Sequence, residues 1–247
     1  MCGPSGVVPQ ELFTTRGIKN VFHYAPLHYL LFITRAGALF SKVELAGQGY
    51  DVGHFRRTSR RQDELRGFAE YVHLTLNALP PILRAKLTAG FPHFEVGIPA
   101  EAIAASEVHL CRYNIAKCRY LRRDGKSGPE ESSTNGRYYG EKQLPIAATP
   151  ADCATLLDTH YPGTMIEVLI PNRLDLPSDT TLLFFREEDL ELARDVLAAA
   201  GLAWDCALSD KHHYIARESY GVLVREFLTR SLRDATWKGD GLEFDSV

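Results

Sequence analysis

The chain has 247 residues, 45% hydrophobic and 24% charged, with a formal net charge of −3 at pH 7. A chain of that length and mix buries about three quarters of its unfolded surface and needs no disulfide or metal to fold. The charge excludes a strongly basic, histone-like protein and an acidic disordered chain, yet it is compatible with local basic surfaces.

Residues 1 to about 18 are punctuated by Gly and Pro and read as a loose arm. Val21 to Tyr24 is a strand, and Pro26 suits the first position of a helix with Leu27, Leu30, Leu31 and Ile33 on its apolar face and Gly37 as its stop. Gly47 to Gly53 is a flexible turn, and Ser59-Arg60-Arg61-Gln62 has the form of a capping box. Glu70 to Leu76 alternates as a strand does, and Asn77 to Pro81 breaks it. His93 to Ile98 is a further strand, Pro99-Ala100-Glu101 opens a short helix, and Val108 to Leu121 is broken strand. Arg122 to Gly140 is the most loop-like stretch.

Thr149 caps a helix with Pro150 at its first position. Thr164 to Ile170 and Thr180 to Arg186 are strands. Glu187 to Ala200 is the clearest helix, with Leu190, Ala193, Leu197 and Ala200 on one face and Gly201 as its end. Residues 218 to 232 form a final amphipathic helix. No Pro/Ser linker divides the chain, so one α+β domain is expected.

The five cysteines, Cys2, Cys111, Cys118, Cys153 and Cys206, are odd in number and none is spaced C-x-x-C. That argues against a zinc ribbon, a thioredoxin-type site and a paired secreted framework. No apolar run approaches the roughly 20 residues of a membrane span, and Met1-Cys2-Gly3-Pro4-Ser5 lacks the regions of a signal peptide. The expectation is a cytoplasmic protein with reduced thiols and no metal. Walker, dinucleotide, zinc-hydrolase and nucleophile-elbow motifs are all missing.

Two arginine-rich stretches stand out. Arg56, Arg57, Arg60, Arg61 and Arg66 oppose only Asp63 and Glu64; Arg112, Lys117, Arg119, Arg122, Arg123 and Lys126 oppose only Asp124, with Tyr113 and Tyr120 between them. Either they are solvated faces, or the arginine forks hold phosphates while the tyrosines stack on bases. Glu167 interrupts an apolar strand, as a solvent-facing edge residue or as a carboxylate set in a cleft. His23, between Phe22 and Tyr24, is open to the same two readings: core residue or ligand-binding residue.

Together these segments resemble the DarT family of NAD-dependent DNA ADP-ribosyltransferase toxins. The likeness runs through Val21-Phe22-His23-Tyr24-Ala25-Pro26-Leu27-His28 to Arg35-Ala36-Gly37-Ala38-Leu39, then Glu70-Tyr71-Val72-His73-Leu74-Thr75-Leu76-Asn77 with Pro81-Ile82-Leu83. It continues through Cys111-Arg112-Tyr113-Asn114-Ile115-Ala116, Arg119-Tyr120 and Ile166-Glu167-Val168-Leu169-Ile170-Pro171 to the helix from Glu187. It spans residues 20 to 202. Phe22 stands for a family tyrosine, Glu70 for an aspartate and Met165 for a glutamine, and the segment before Glu167 carries a Gly/Ser-rich insertion.

The resemblance implies an ADP-ribosyltransferase-like split β-sheet core with peripheral helices over residues 20–202. An N-terminal arm (1–19) and a C-terminal helical extension packed on the same domain (203–247) flank it. It implies NAD as co-substrate and Glu167 as the carboxylate that stabilises the oxocarbenium-like ribose. His23 is implied at the adenosine ribose, and Tyr71 on nicotinamide, with Tyr24, Ala25 and Leu31 beside them. Arg57 or Arg61 holds the pyrophosphate or the attacking base; Arg56, Arg60, Arg119 and Arg122 contact nucleic acid; and residues 122–165 form a substrate-recognition loop. The acceptor implied is thymine or guanine in single-stranded DNA, and the partner a macrodomain-type antitoxin hydrolase. The same chemistry on RNA or protein, and a non-catalytic nucleic-acid-binding module on the same fold, are the alternatives.

Overall fold

The computed structural model describes residues 10–48, 68–88, 90–103, 107–111, 119–120, 138–139, 146–147, 149–163, 165–214, 236–238 and 241–243. Helix α1 (Gln10–Thr14) leads into strand β1 (Asn20–Pro26). Where the Gly/Pro punctuation predicts a loose arm, Phe13 and Ile18 are instead buried in the core. Pro26, with ψ at 146°, closes the strand rather than opening a helix. A 3-10 turn (Leu27–Tyr29) intervenes before helix α2 (Leu30–Ala36), which Gly37 ends in the left-handed conformation at φ 57°.

Strand β2 (Ala38–Phe40) and helix α3 (Lys42–Gly47), capped by Ser41, follow. Beyond them come β3 (Tyr71–Thr75), helix α4 (Pro81–Thr88), β4 (His93–Pro99), a 3-10 turn (Ala100–Ile103) and β5 (His109–Cys111). The short strands β6 (Arg119–Tyr120), β7 (Tyr138–Tyr139) and β8 (Ile146–Ala147) precede helix α5 (Pro150–His160). Thr149 caps α5 by accepting from the Asp152 N–H, as its Thr-Pro start predicts. Then come β9 (Glu167–Pro171), β10 (Arg173–Asp175), β11 (Thr181–Phe184), helix α6 (Glu187–Ala199) and β12 (Asp205–Leu208). β13 (Thr236–Lys238) and β14 (Gly241–Glu243) pair antiparallel.

Eight strands form one sheet in the order β12-β11-β4-β1-β3-β9-β5-β8. Its ladders are antiparallel except β11–β12, which are parallel and joined across α6. Residues from 203 onward therefore begin as a sheet strand rather than as a helical extension. The expected helix over 218–232 lies outside the described residues, as does the capping box at 59–62.

One sheet face carries the core. Val21, Ala25, Val72, Leu74, Phe94, Val96, Val168, Ile170, Leu182 and Phe184 are buried there, with Leu190, Ala193, Val196 and Leu197 of α6 in the same cluster. Phe94 and Phe184 stack at 5.8 Å.

The feature that sets up the site lies at mid-sheet. β1 pairs with β4 along its whole length, from Asn20–Pro99 to Pro26–His93. β3 pairs with β9 from Tyr71–Pro171 to Thr75–Glu167. Between β1 and β3 the ladder is the single pair Phe22–Thr75. The sheet thus opens beyond Phe22, on the side where His23 and Tyr24 lie. Among the described residues no helix is long and apolar enough to cross a membrane, and Cys111, Cys153 and Cys206 are buried.

Candidate active site

Glu167 begins β9, an interior strand between β3 and β5, in register with Thr75 on one side and Cys111 on the other. Residues paired across antiparallel strands share a face. Val168 and Ile170 therefore point to the core with Leu74 and Val72, while Glu167 shares the opposite face with Tyr71, His73, Thr75, His109 and Cys111. Of the two readings the sequence leaves open, the solvent-facing edge is excluded: the Glu167 side chain is 5% exposed.

A carboxylate so withdrawn from water needs a partner, and His73 provides it. His73 Nδ1 lies 3.1 Å from Glu167 Oε1, and its Nε2 lies 3.0 Å from the Phe68 carbonyl.

His23 lies at the opening. Its Nδ1 is 2.9 Å from the backbone carbonyl of His73. Burial pushes its pKa down to about 4; the charges of His73 and Lys86 act in the same direction, and the hydrogen bond to the carbonyl acts against them. The ring is therefore neutral at pH 7 and donates Nδ1–H to the carbonyl, which leaves Nε2 with a lone pair. Among the described residues no hydrogen bond engages Nε2. Tyr24 follows, with Lys86 Nζ 5.1 Å from its ring centroid.

Tyr71 meets His109 edge-on at 5.5 Å and Phe68 at 5.9 Å. Its phenol is pushed up by burial first, and then by Glu107, Glu70 and Cys111. Ala25 and Leu31 are packed into the core cluster by their side chains. Tyr71 and Glu167 thus share one face of β3 and β9; His23, in register with Val96 on β4, reaches β3 through the His73 carbonyl, with Tyr24 beside it.

Arg56, Arg57, Arg60, Arg61 and Arg122 lie outside the described residues, as does most of the 122–165 segment before α5. The Arg119 backbone is in β6, paired in parallel with β7 at Tyr138.

Sequence reasoning misses two groups. His73 reads as one more polar residue in an alternating strand; only the pairing of β3 with β9 brings it to Glu167. Glu95, on β4 opposite Tyr24, is fully buried and is pushed up to about 8 by burial, against the hydrogen bond from Leu79 and the charge of Lys211. Its Oε1 accepts the Leu79 N–H at 2.7 Å, while Oε2 is buried without a hydrogen-bond partner among the described residues. Leu79 has φ at 53°, and Lys211 Nζ donates to the neighbouring Ala78 carbonyl at 3.3 Å. The turn between β3 and α4 is therefore fixed from two sides.

No protein-family model matches the chain, and no curated protein does. Solved structures do. The structure of Thermus sp. 2.9 DarT in complex with ADP-ribosylated ssDNA superposes with a TM-score of 0.51 at 10% identity, covering 81% of this chain and 97% of that one. The same protein in complex with NAD+ gives 0.48 at 10% identity, covering 81% and 98%, and with carba-NAD+ 0.45 at 12%, again covering 81% and 98%. The chain has the DarT-like ADP-ribosyltransferase fold, an α+β architecture around a large central sheet.

Proposed function

We propose that the chain is an NAD-dependent ADP-ribosyltransferase whose acceptor is a nucleobase, thymine or guanine, of single-stranded DNA. The observation that carries this reading is the placement of Glu167. It is a buried carboxylate on an interior strand, joined through His73 to His23 at the opening of the sheet. The shared fold with a protein whose structure holds ADP-ribosylated single-stranded DNA supports the choice of substrate.

The residues present fit such a co-substrate. NAD, when bound, supplies a ribose carbon bearing a nicotinamide leaving group. Loss of that group builds positive charge on the ribose, and the Glu167 carboxylate is the counter-charge at hand. Its low exposure strengthens that interaction, because water does not screen it. Glu167 also serves as the base that takes the proton from the attacking nitrogen, a role worth about 10²–10⁴-fold in rate.

His23, neutral with a bare Nε2, accepts from a ribose hydroxyl. Tyr71 and His109 offer an aromatic wall for a flat ring. By resemblance, Arg57 or Arg61 holds pyrophosphate or base, and Arg56, Arg60, Arg119 and Arg122 contact the strand. An activity of this kind damages its host's DNA, so a toxin role, with a macrodomain-type hydrolase as the neutralising partner, belongs to the same reading.

The test is incubation with NAD and single-stranded oligonucleotides of defined base content, with RNA and protein controls, followed by mass spectrometry for added ADP-ribose. Thymine- or guanine-dependent labelling of DNA that disappears in Glu167→Gln is the expected result. Labelling of RNA or protein alone moves the acceptor. Nucleic-acid binding without NAD turnover makes the chain a non-catalytic binding module.

A further inference from the structure

We propose that His73 is a positioning residue that fixes the Glu167 carboxylate for the transfer. This assignment rests on the reading of Glu167 as the group that acts on the ribose.

The geometry is restrictive. Glu167 Oε1 and the Phe68 carbonyl are both acceptors, and they face the two nitrogens of one ring at 3.1 and 3.0 Å. Each contact needs a hydrogen. Because the role proposed for Glu167 requires a carboxylate, the ring donates from both nitrogens, as an imidazolium. Phe68, just ahead of β3, anchors the far side of the ring, so its plane is held at both ends and the carboxylate is held in turn. The backbone carbonyl of His73 takes the Nδ1–H of His23 at 2.9 Å. One residue thus sets both the orientation of the buried acid and the tautomer of the histidine across the opening.

Among the described residues, the titratable groups around the pair are Tyr71 on the same strand, His109 and Cys111 on β5, and His23 and Tyr24 on β1, with Glu70 and Glu107 flanking. His73 is bonded to the carboxylate at 3.1 Å.

Three substitutions separate positioning from general structural support. Asn places an N–H near the Nδ1 position and preserves the bond to Glu167. Gln reaches further, places its N–H near Nε2 and preserves the bond to Phe68. Ala preserves neither. The expected result is a loss of about 100-fold in kcat for His73→Ala and His73→Gln, with KM for NAD within about twofold. His73→Asn stays within about fivefold of the parent kcat.

Melting temperatures of the Asn and Gln variants should match, because each loses one of two hydrogen bonds. Equal kcat loss in all three variants, tracking their melting temperatures, overturns the assignment; so does kcat unchanged in His73→Ala.

A second measurement does not depend on turnover. The imidazole ¹⁵N shifts of His73 at pH 7 should show both nitrogens protonated in the parent protein, and Nδ1 bare in Glu167→Gln. An Nδ1 equally protonated in both overturns the pairing. A parent protein that transfers ADP-ribose to nothing refutes the functional reading, and the ¹⁵N result still decides the pairing.

Discussion

His23 and His73 meet across the gap in the sheet: the Nδ1 of His23 and the backbone carbonyl of His73 are 2.9 Å apart, although β1 and β3 exchange one backbone pair, at Phe22 and Thr75. A side chain takes up a carbonyl at the edge of the opening, and the ring doing so is left with its Nε2 lone pair.

That lone pair yields the first prediction. His23→Ala should raise KM for NAD about 10-fold, since one hydrogen bond contributes about 1–1.5 kcal/mol. The kcat should stay within about threefold, because the ring is not the group that meets the developing charge. Initial rates over a range of NAD concentrations check this; an unchanged KM would remove His23 from the binding site.

Acid should weaken the fold before most carboxylates titrate. His23 and His93 are each lowered from 6.5 to about 4, chiefly by burial. Between those values the unfolded chain binds protons that the folded chain refuses, so stability falls as pH falls from 6.5 toward 4. Glu95 opposes the two histidines over part of this range, leaving a net of about one proton, so urea midpoints should drop between pH 6 and pH 5. In His93→Gln, with the Phe91 carbonyl and Lys86 Nζ as its ring's neighbours, most of that slope should vanish, because the remaining histidine and Glu95 nearly cancel.

Glu95 acts in the opposite direction. Its carboxyl is raised from 4.5 to about 8, so the folded protein keeps a proton that the unfolded chain has already lost. Its contribution to stability therefore declines as pH rises through that window. Glu95→Gln, a neutral mimic of the protonated acid, should match the parent near pH 4.5 and exceed it at pH 8.5. Denaturation curves at the two pH values decide it, and a gain that is the same at both would contradict the burial account.

Gly37 terminates α2 with φ at 57°, and a Cβ built there meets nothing within 4 Å. Gly37→Ala should then cost only the conformational penalty of the left-handed region, about 1 kcal/mol. For a chain of this size that is a fall of about 2–4 °C in Tm. A much larger fall would point to a contact that the open space does not suggest.

Local signals account for what is legible in the sequence. Thr149-Pro150 writes the start of α5, the apolar spacing of Leu190, Ala193 and Leu197 writes α6, and Gly37 and Gly201 mark two helix ends. Glu167 stands out because it interrupts an apolar run. Helix α4 is hidden because Pro80-Pro81 reads as a break, although Pro81 serves as the helix's first residue. β12 is hidden because its sheet partner β11 lies a whole helix away in sequence, and α1 because Phe13 alone gives little periodicity. His73 is the instructive miss. Alternation predicts which face it takes, but not which strand lies beside it, and its partner is 94 residues away.

The solitary Phe22–Thr75 pair divides the sheet into two leaves of four strands, β12-β11-β4-β1 and β3-β9-β5-β8. His23 belongs to one leaf and Glu167 to the other. A molecule gripped by both is a rivet across a seam that the backbone leaves almost unstitched, and its arrival stiffens the protein along its weakest line. Product departure withdraws that rivet, so each turnover would alternately brace and release the middle of the sheet.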